Sequence, residues 1–181
     1  MEARYILGID PGLTGGCAFY DPFVDDLAPI QLFAYRTPVL TVAFMKQGEK
    51  RQRKIMDLDA AADIIRQYNV VEAFIEEVHS MRKQGVTSTF RFGEGYGQWQ
   101  GLLAGIGIKR RYVAPQAWKK AFSLSSDKGE SLEMVRALFP LNENSFRLKK
   151  DDGVAEASLI AVYGAHLLGL KPLPKYDRTS Y

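Results

Sequence analysis

Apolar residues in this chain fall into two kinds of run. Short, nearly continuous runs read as strands, and longer stretches with apolar positions three and four apart read as helices. Tyr5 to Ile9 and Cys17 to Tyr20 flank Asp10-Pro11-Gly12 and Gly15-Gly16. Together they read as a β-hairpin that displays the Asp10 carboxylate at a strand end. Ile30 to Thr37 reads as a third strand completing a meander, and Leu40 to Phe44 as a further short strand or its extension. Asp57 or Asp59 caps a helix to about Tyr68, with Leu58, Ala61, Ala62, Ile64 and Ile65 on its apolar face. Val70 to Val78 is apolar enough for a central strand covered on both faces, and it too ends in acids, Glu76 and Glu77.

The second half alternates in the same way. The glycine-interrupted stretch Thr87 to Gly95 reads as a flexible loop or frayed first turn, leading into a helix from about Gly97 to Ile106. Arg110 to Val113 is a short fifth strand, and Pro115 to Phe122 a short helix with proline in its first turn. Ser125 or Ser126 opens a helix ending near Phe139-Pro140, and a last helix runs from Lys150 or Asp151 to about Leu168. The pattern is α/β, with one domain over residues 1–169 and a loosely ordered tail over 170–181.

Composition narrows the chemistry. The chain has 181 residues, 46% hydrophobic and 25% charged, as expected for one globular domain. Lys and Arg exceed Asp and Glu by 24 to 21, a formal charge of +3, so only the placement of the basic residues can argue for a polyanionic partner. The one cysteine, Cys17, excludes an internal disulfide, and with two histidines it leaves no credible zinc site. No stretch reaches the length of a membrane span, and no signal peptide is recognisable, so an intracellular, cytoplasmic setting (including an infected host cell or an organelle) is expected. Lys46 to Lys54 carries five basic residues and one acid and reads either as a solvated loop or as a phosphate-contacting one.

The carboxylates carry the functional argument. On the last helix Asp152 and Glu156 stand at i and i+4 and share a face, about 6 Å apart, among apolar residues. The helix dipole explains an acid in the first turn but not Glu156, which lies a turn further in. If Asp10, Glu76, Asp152 and Glu156 converge, their charges require a cation. Oxygen ligands without His or Cys select Mg²⁺ or Mn²⁺. Two such ions would activate a water against a phosphodiester without any side-chain nucleophile.

Three segments in order resemble the RuvC-type Holliday-junction resolvases, in particular their phage and chloroplast branches. They are Ile6-Leu7-Gly8-Ile9-Asp10-Pro11-Gly12, Ile75-Glu76-Glu77-Val78, and Asp152-Gly153-Val154-Ala155-Glu156-Ala157-Ser158-Leu159-Ile160-Ala161. The stretch from Phe92 to Trp99, Pro115 to Lys119, and Asp127-Lys128 also look like family features. The resemblance implies an RNase H-like fold with a mixed five-stranded sheet and flanking helices. It further implies a homodimer that makes paired, metal-dependent nicks across four-way DNA. Asp10, Glu76, Asp152 and Glu156 match the catalytic metal ligands, with Asp151 and Glu77 as alternatives to their neighbours. His79 stands where bacterial relatives place an aromatic wedge, so opening the junction falls to Phe90 or Phe92.

Basic residues should then ring the acids. Arg82, Lys83, Lys119, Lys120, Lys149 and Lys150 are candidate phosphate contacts, and Lys128 would help orient the attacked phosphate. Phe90, Phe92 and Tyr96 could stack on exposed bases or pack in the protein. Rival readings are a metal-dependent RNase or general nuclease of the same fold, and a non-catalytic junction-binding protein. An actin-like phosphotransferase needs a second domain to close over its nucleotide.

Overall fold

A computed structural model describes residues 3–24, 32–79, 85–125 and 127–174. Strands β1 (Tyr5–Asp10), β2 (Gly16–Tyr20) and β3 (Leu32–Arg36) form the expected antiparallel meander. Among the described residues, strands β4 (Val39–Lys46) and β5 (Glu49–Met56) pair only with each other. Helix α1 (Leu58–Arg66) follows, its first turn capped by Asp57, whose carboxylate accepts from the Ala60 N–H at 3.0 Å. Strand β6 (Val70–Glu76) then pairs parallel to β1, and helix α2 (Val86–Ile106) leads to β7 (Arg110–Val113), parallel to β6. Helices α3 (Pro115–Ala121), α4 (Lys128–Leu138) and α5 (Asp152–Leu167) complete the chain, with 3₁₀ turns over Pro140–Phe146 and Lys149–Asp151 between the last two.

The main sheet is mixed and five-stranded, in the order β3-β2-β1-β6-β7. Strand alternation divides the core into two. Ile6, Ala18, Tyr20, Leu32 and Phe74 face α4 and α5, whereas Leu7, Ile9, Cys17, Phe19, Ala73 and Ile75 face α1 and α2. Helix α5 is buried for most of its length because it crosses the middle of the sheet. It lies so close to β1 that a Cβ on Gly8 would stand 2.1 Å from the Ala157 carbonyl oxygen. Burial pushes the Cys17 thiol up to about 12, so it is a packing residue and not a reactive one.

Three sequence expectations are corrected. The basic stretch 46–54 is no loop: it is the tip and second strand of a β-hairpin, turned by Gln47 (φ 52°) and Gly48 (φ 80°). Two successive positive φ angles suit the twist of a two-residue hairpin turn. Thr87 to Gly95 is not a loop either, because α2 is continuous from Val86. Trp99 and Leu103, one turn apart, anchor that helix in the core, and Gly95 lets it approach the Pro11 carbonyl, 3.2 Å from where a Cβ would stand. The cap of α4 is Asp127, which accepts from the Gly129 N–H at 2.8 Å, in place of Ser125 or Ser126. At the other end of the chain, Leu170 and Leu173 pack against the core beside α5, so the described part of the tail is docked.

Candidate active site

Strand parity sets Asp10 and Glu76 side by side. Ile9 pairs with Ile75, so Asp10 and Glu76, one residue further on, end adjacent parallel strands about 4.8 Å apart. Gly8 and Phe74, two residues before each acid, both contact α5. Asp10 and Glu76 therefore project toward the same helix, and Glu77 projects to the opposite side. The Asp10 carboxylate lies against the first turn of α5, its Oδ2 2.8 Å from where a Cβ on Gly153 would be. Only glycine allows that approach. The turn after Asp10 is tied to the end of β3, where the Thr37 hydroxyl donates to the Gly12 carbonyl at 2.8 Å and the Thr37 N–H to the Gly15 carbonyl at 3.1 Å.

Asp151 and Asp152 have different surroundings. Asp151 is buried, and its Oδ1 accepts from Arg36, at 2.8 Å from Nε and also from Nη2. Its Oδ2 accepts from the Leu148 N–H at 2.7 Å. The Asp151 carboxylate thus clamps the start of α5 to the end of β3. Asp152 begins the helix proper and shares the face of Glu156. Replacing Arg36 by Met should strand a buried carboxylate at a cost of about 1–3 kcal/mol, read as a lower denaturant midpoint.

Helix α3 supplies partners for the other two acids. Trp118, fully buried, donates from Nε1 to Glu76 Oε1 at 3.0 Å. Its neighbour Lys119 donates from Nζ to Glu156 Oε1 at 2.9 Å, and Glu156 is only 5% exposed. A buried carboxylate needs a neutralising partner, and here an ammonium provides it. Lys119, expected among the phosphate contacts, is instead turned inward onto an acid. Sequence reading missed the roles of Trp118, Arg36 and Asp151. The spacing of neighbouring residues carries no signal for such pairs, Arg36 and Asp151 being 115 positions apart.

With the side chains as they lie, no three Asp, Glu, His or Cys residues among those described stand close enough to hold an ion. Glu76 and Glu156 are drawn instead to protein donors. The donor set itself, carboxylate oxygens at the meeting of two strand ends and a helix, fits a hard divalent cation.

Lys120, Lys149, Lys150 and Phe90 are exposed. Phe92 is half-buried and lines a small cavity with Pro11, Gly12, Leu13, Ser88 and Arg91, beside the Asp10 turn. Tyr96 is half-buried against the core, its ring centroid 6.1 Å from that of Tyr112. The His79 side chain is 76% exposed. Lys128 opens α4, but its side chain lies outside the described atoms, and Arg82 and Lys83 lie outside the described residues.

No family model matches the chain. A stretch of 69 residues, 37% of the chain, is 41% identical to the chloroplast Holliday junction resolvase MOC1 of Chlamydomonas reinhardtii. The match spans about 8% of that relative's length. Two solved structures of RuvC from Thermus thermophilus superpose with a TM-score of 0.54, at 15% and 16% identity, over 93% of this chain and 99% of theirs. One of the two is a complex with a Holliday junction substrate. The chain therefore has the RNase H-like fold of the RuvC-type resolvases.

Proposed function

We propose that residues 1–169 form a structure-selective DNA endonuclease that resolves four-way junctions by divalent-metal-dependent hydrolysis, as a homodimer making paired nicks. What supports this reading is that Asp10 and Glu76 end neighbouring parallel strands, with the Asp10 carboxylate against the first turn of the helix that carries Asp152 and the buried Glu156. The resolvase activity named for the chloroplast relative and the junction bound to the Thermus RuvC support branched DNA as the substrate. Burying an acid on the packed face of a helix costs stability, and a protein that only bound DNA would gain nothing from added negative charge beside phosphate.

The four carboxylates would hold Mg²⁺ or Mn²⁺, two ions in all, which supply the Lewis acidity that activates water and stabilises the leaving oxygen. The chain's own part is orientation. Gly153 lets the Asp10 carboxylate stand against α5, and the Arg36–Asp151 clamp fixes the start of the helix that bears Asp152 and Glu156. Trp118 holds one oxygen of the Glu76 carboxylate and so would orient that acid beside an ion. Lys119 neutralises Glu156 before loading, and its ammonium can then turn to a phosphate oxygen. Exposed Lys120, Lys149 and Lys150 would position the backbone without reading sequence.

The test is cleavage of a synthetic four-way junction with Mg²⁺, compared with linear duplex of the same sequence and with an RNA–DNA hybrid. Paired nicks in the junction alone are expected, and preferential cutting of the hybrid would reassign the chain as an RNase. Replacing Trp118 by Phe keeps an aromatic ring but removes the Nε1 donor to Glu76. Loss of such an outer partner should weaken metal binding about tenfold, read by calorimetry with Mn²⁺.

A further inference from the structure

The ribbon formed by β4 and β5 is unused by the reaction, yet it holds the densest basic charge in the chain. Lys46, Lys50, Arg51, Arg53 and Lys54 face only Glu49 in acid, a surplus of four against +3 for the whole protein. Without the ribbon the molecule would be slightly acidic. The register divides these cations between both faces: Lys50 and Lys54 lie on one, and Lys46, Arg51 and Arg53 on the other. All except Arg53 are exposed. Arg53 is half-buried, its guanidinium 5.9 Å from the Phe44 ring centroid.

The ribbon stands apart from the main sheet and is rooted at its base. Met56 is buried in the core beneath the sheet. Arg53, Ile55, Leu13 and Arg91 line one narrow cleft, and Arg91 also lines the cavity beside Pro11, Gly12 and Leu13. Arg91 and Arg53 thus link the Asp10 turn to the ribbon along this cleft, beside the one acid that lines it, Glu94. Eight residues per strand give it a reach of about 25 Å, and a two-stranded ribbon is narrow enough for the major groove of a duplex.

We propose that the β4–β5 ribbon is a second nucleic-acid contact, which grips the sugar–phosphate backbone of a duplex arm away from the cut. The proposal rests on the reading of the chain as a junction nuclease. Lysines on an edge strand can simply prevent aggregation, but that purpose is served by either sign of charge and does not call for a nearly pure positive ribbon. A second copy of this chain is a poor occupant, since it would bring the same charge.

The test replaces Lys46, Lys50, Arg51 and Lys54 together by Gln, with Arg53 retained because it packs at the base. Binding to labelled four-way junctions is measured across a range of salt, with long arms and with arms trimmed to a few base pairs. For long arms, affinity should fall at least about tenfold and the slope of log Kd against log salt should drop by roughly three. On trimmed arms the variant should match the wild type, and cleavage at saturating DNA should stay within about threefold. An unchanged salt slope on long arms, with wild-type cleavage intact, would overturn the ribbon's role alone. So would a loss of dimerisation in the variant, which would make the ribbon an interface between copies. A wild-type protein that neither binds nor cuts branched DNA would overturn the nuclease reading itself, and the ribbon proposal with it.

Discussion

Asp10→Asn is expected to lower the rate of junction cleavage by at least about a thousandfold, with junction binding unchanged or slightly tighter. The substitution keeps shape and volume, so the fold and the contact with Gly153 should survive. What it removes is one full negative charge at the point where β1, β6 and α5 meet. On the proposed reading, that charge is needed to hold a divalent cation beside the attacked phosphate. Binding should not suffer, because the lost carboxylate repels DNA. Single-turnover cleavage and an equilibrium binding assay on the same junction separate the two quantities. A variant that fails equally in both would indicate a folding defect or a site used only for binding.

The second large effect concerns stability. Gly8→Ala would set a methyl group 2.1 Å from the Ala157 carbonyl oxygen and 2.4 Å from the Ala161 nitrogen. Both are backbone atoms of a helix buried along most of its length, so no side chain can swing aside. Either α5 lifts from β1 or the sheet deforms. A loss of about 3 kcal/mol is expected, lowering the melting temperature by roughly 10 °C. The same shift would carry Asp152 and Glu156 away from Asp10, so activity should fall below what the remaining folded fraction accounts for. Gly101→Ala is the control. It lies on α2 with nothing within 4 Å of the added methyl, and should stabilise the helix by up to about 1 kcal/mol.

Much of this architecture was legible in the sequence, for local reasons. The strands of the main sheet announce themselves as apolar runs, and the parity of Gly8, Asp10, Phe74 and Glu76 follows from strand geometry alone. The i, i+4 spacing of Asp152 and Glu156 is likewise a property of one helix. What escaped depended on contacts distant in sequence. The difference between Asp151 and Asp152 rests on Arg36, from another strand, which pairs with Asp151. The inward turn of Lys119 depends on Glu156, and the anchoring of Glu76 on Trp118. The ribbon is a different case. Leu40, Val42 and Phe44 alternate along one face and Gly48 marks the turn, a signal obscured by the lysines and arginines that make up the returning strand. In α2 the glycines suggested a loop, and the burial of Trp99 and Leu103 overrode that local preference.

The most direct test is where a divalent ion binds. A crystal of the protein grown with Mn²⁺ should show anomalous density bounded by Asp10, Glu76, Asp152 and Glu156, with Lys119 swung away from Glu156. Density elsewhere, or an intact Lys119–Glu156 pair with no ion beside Asp10 at saturating Mn²⁺, would contradict the account.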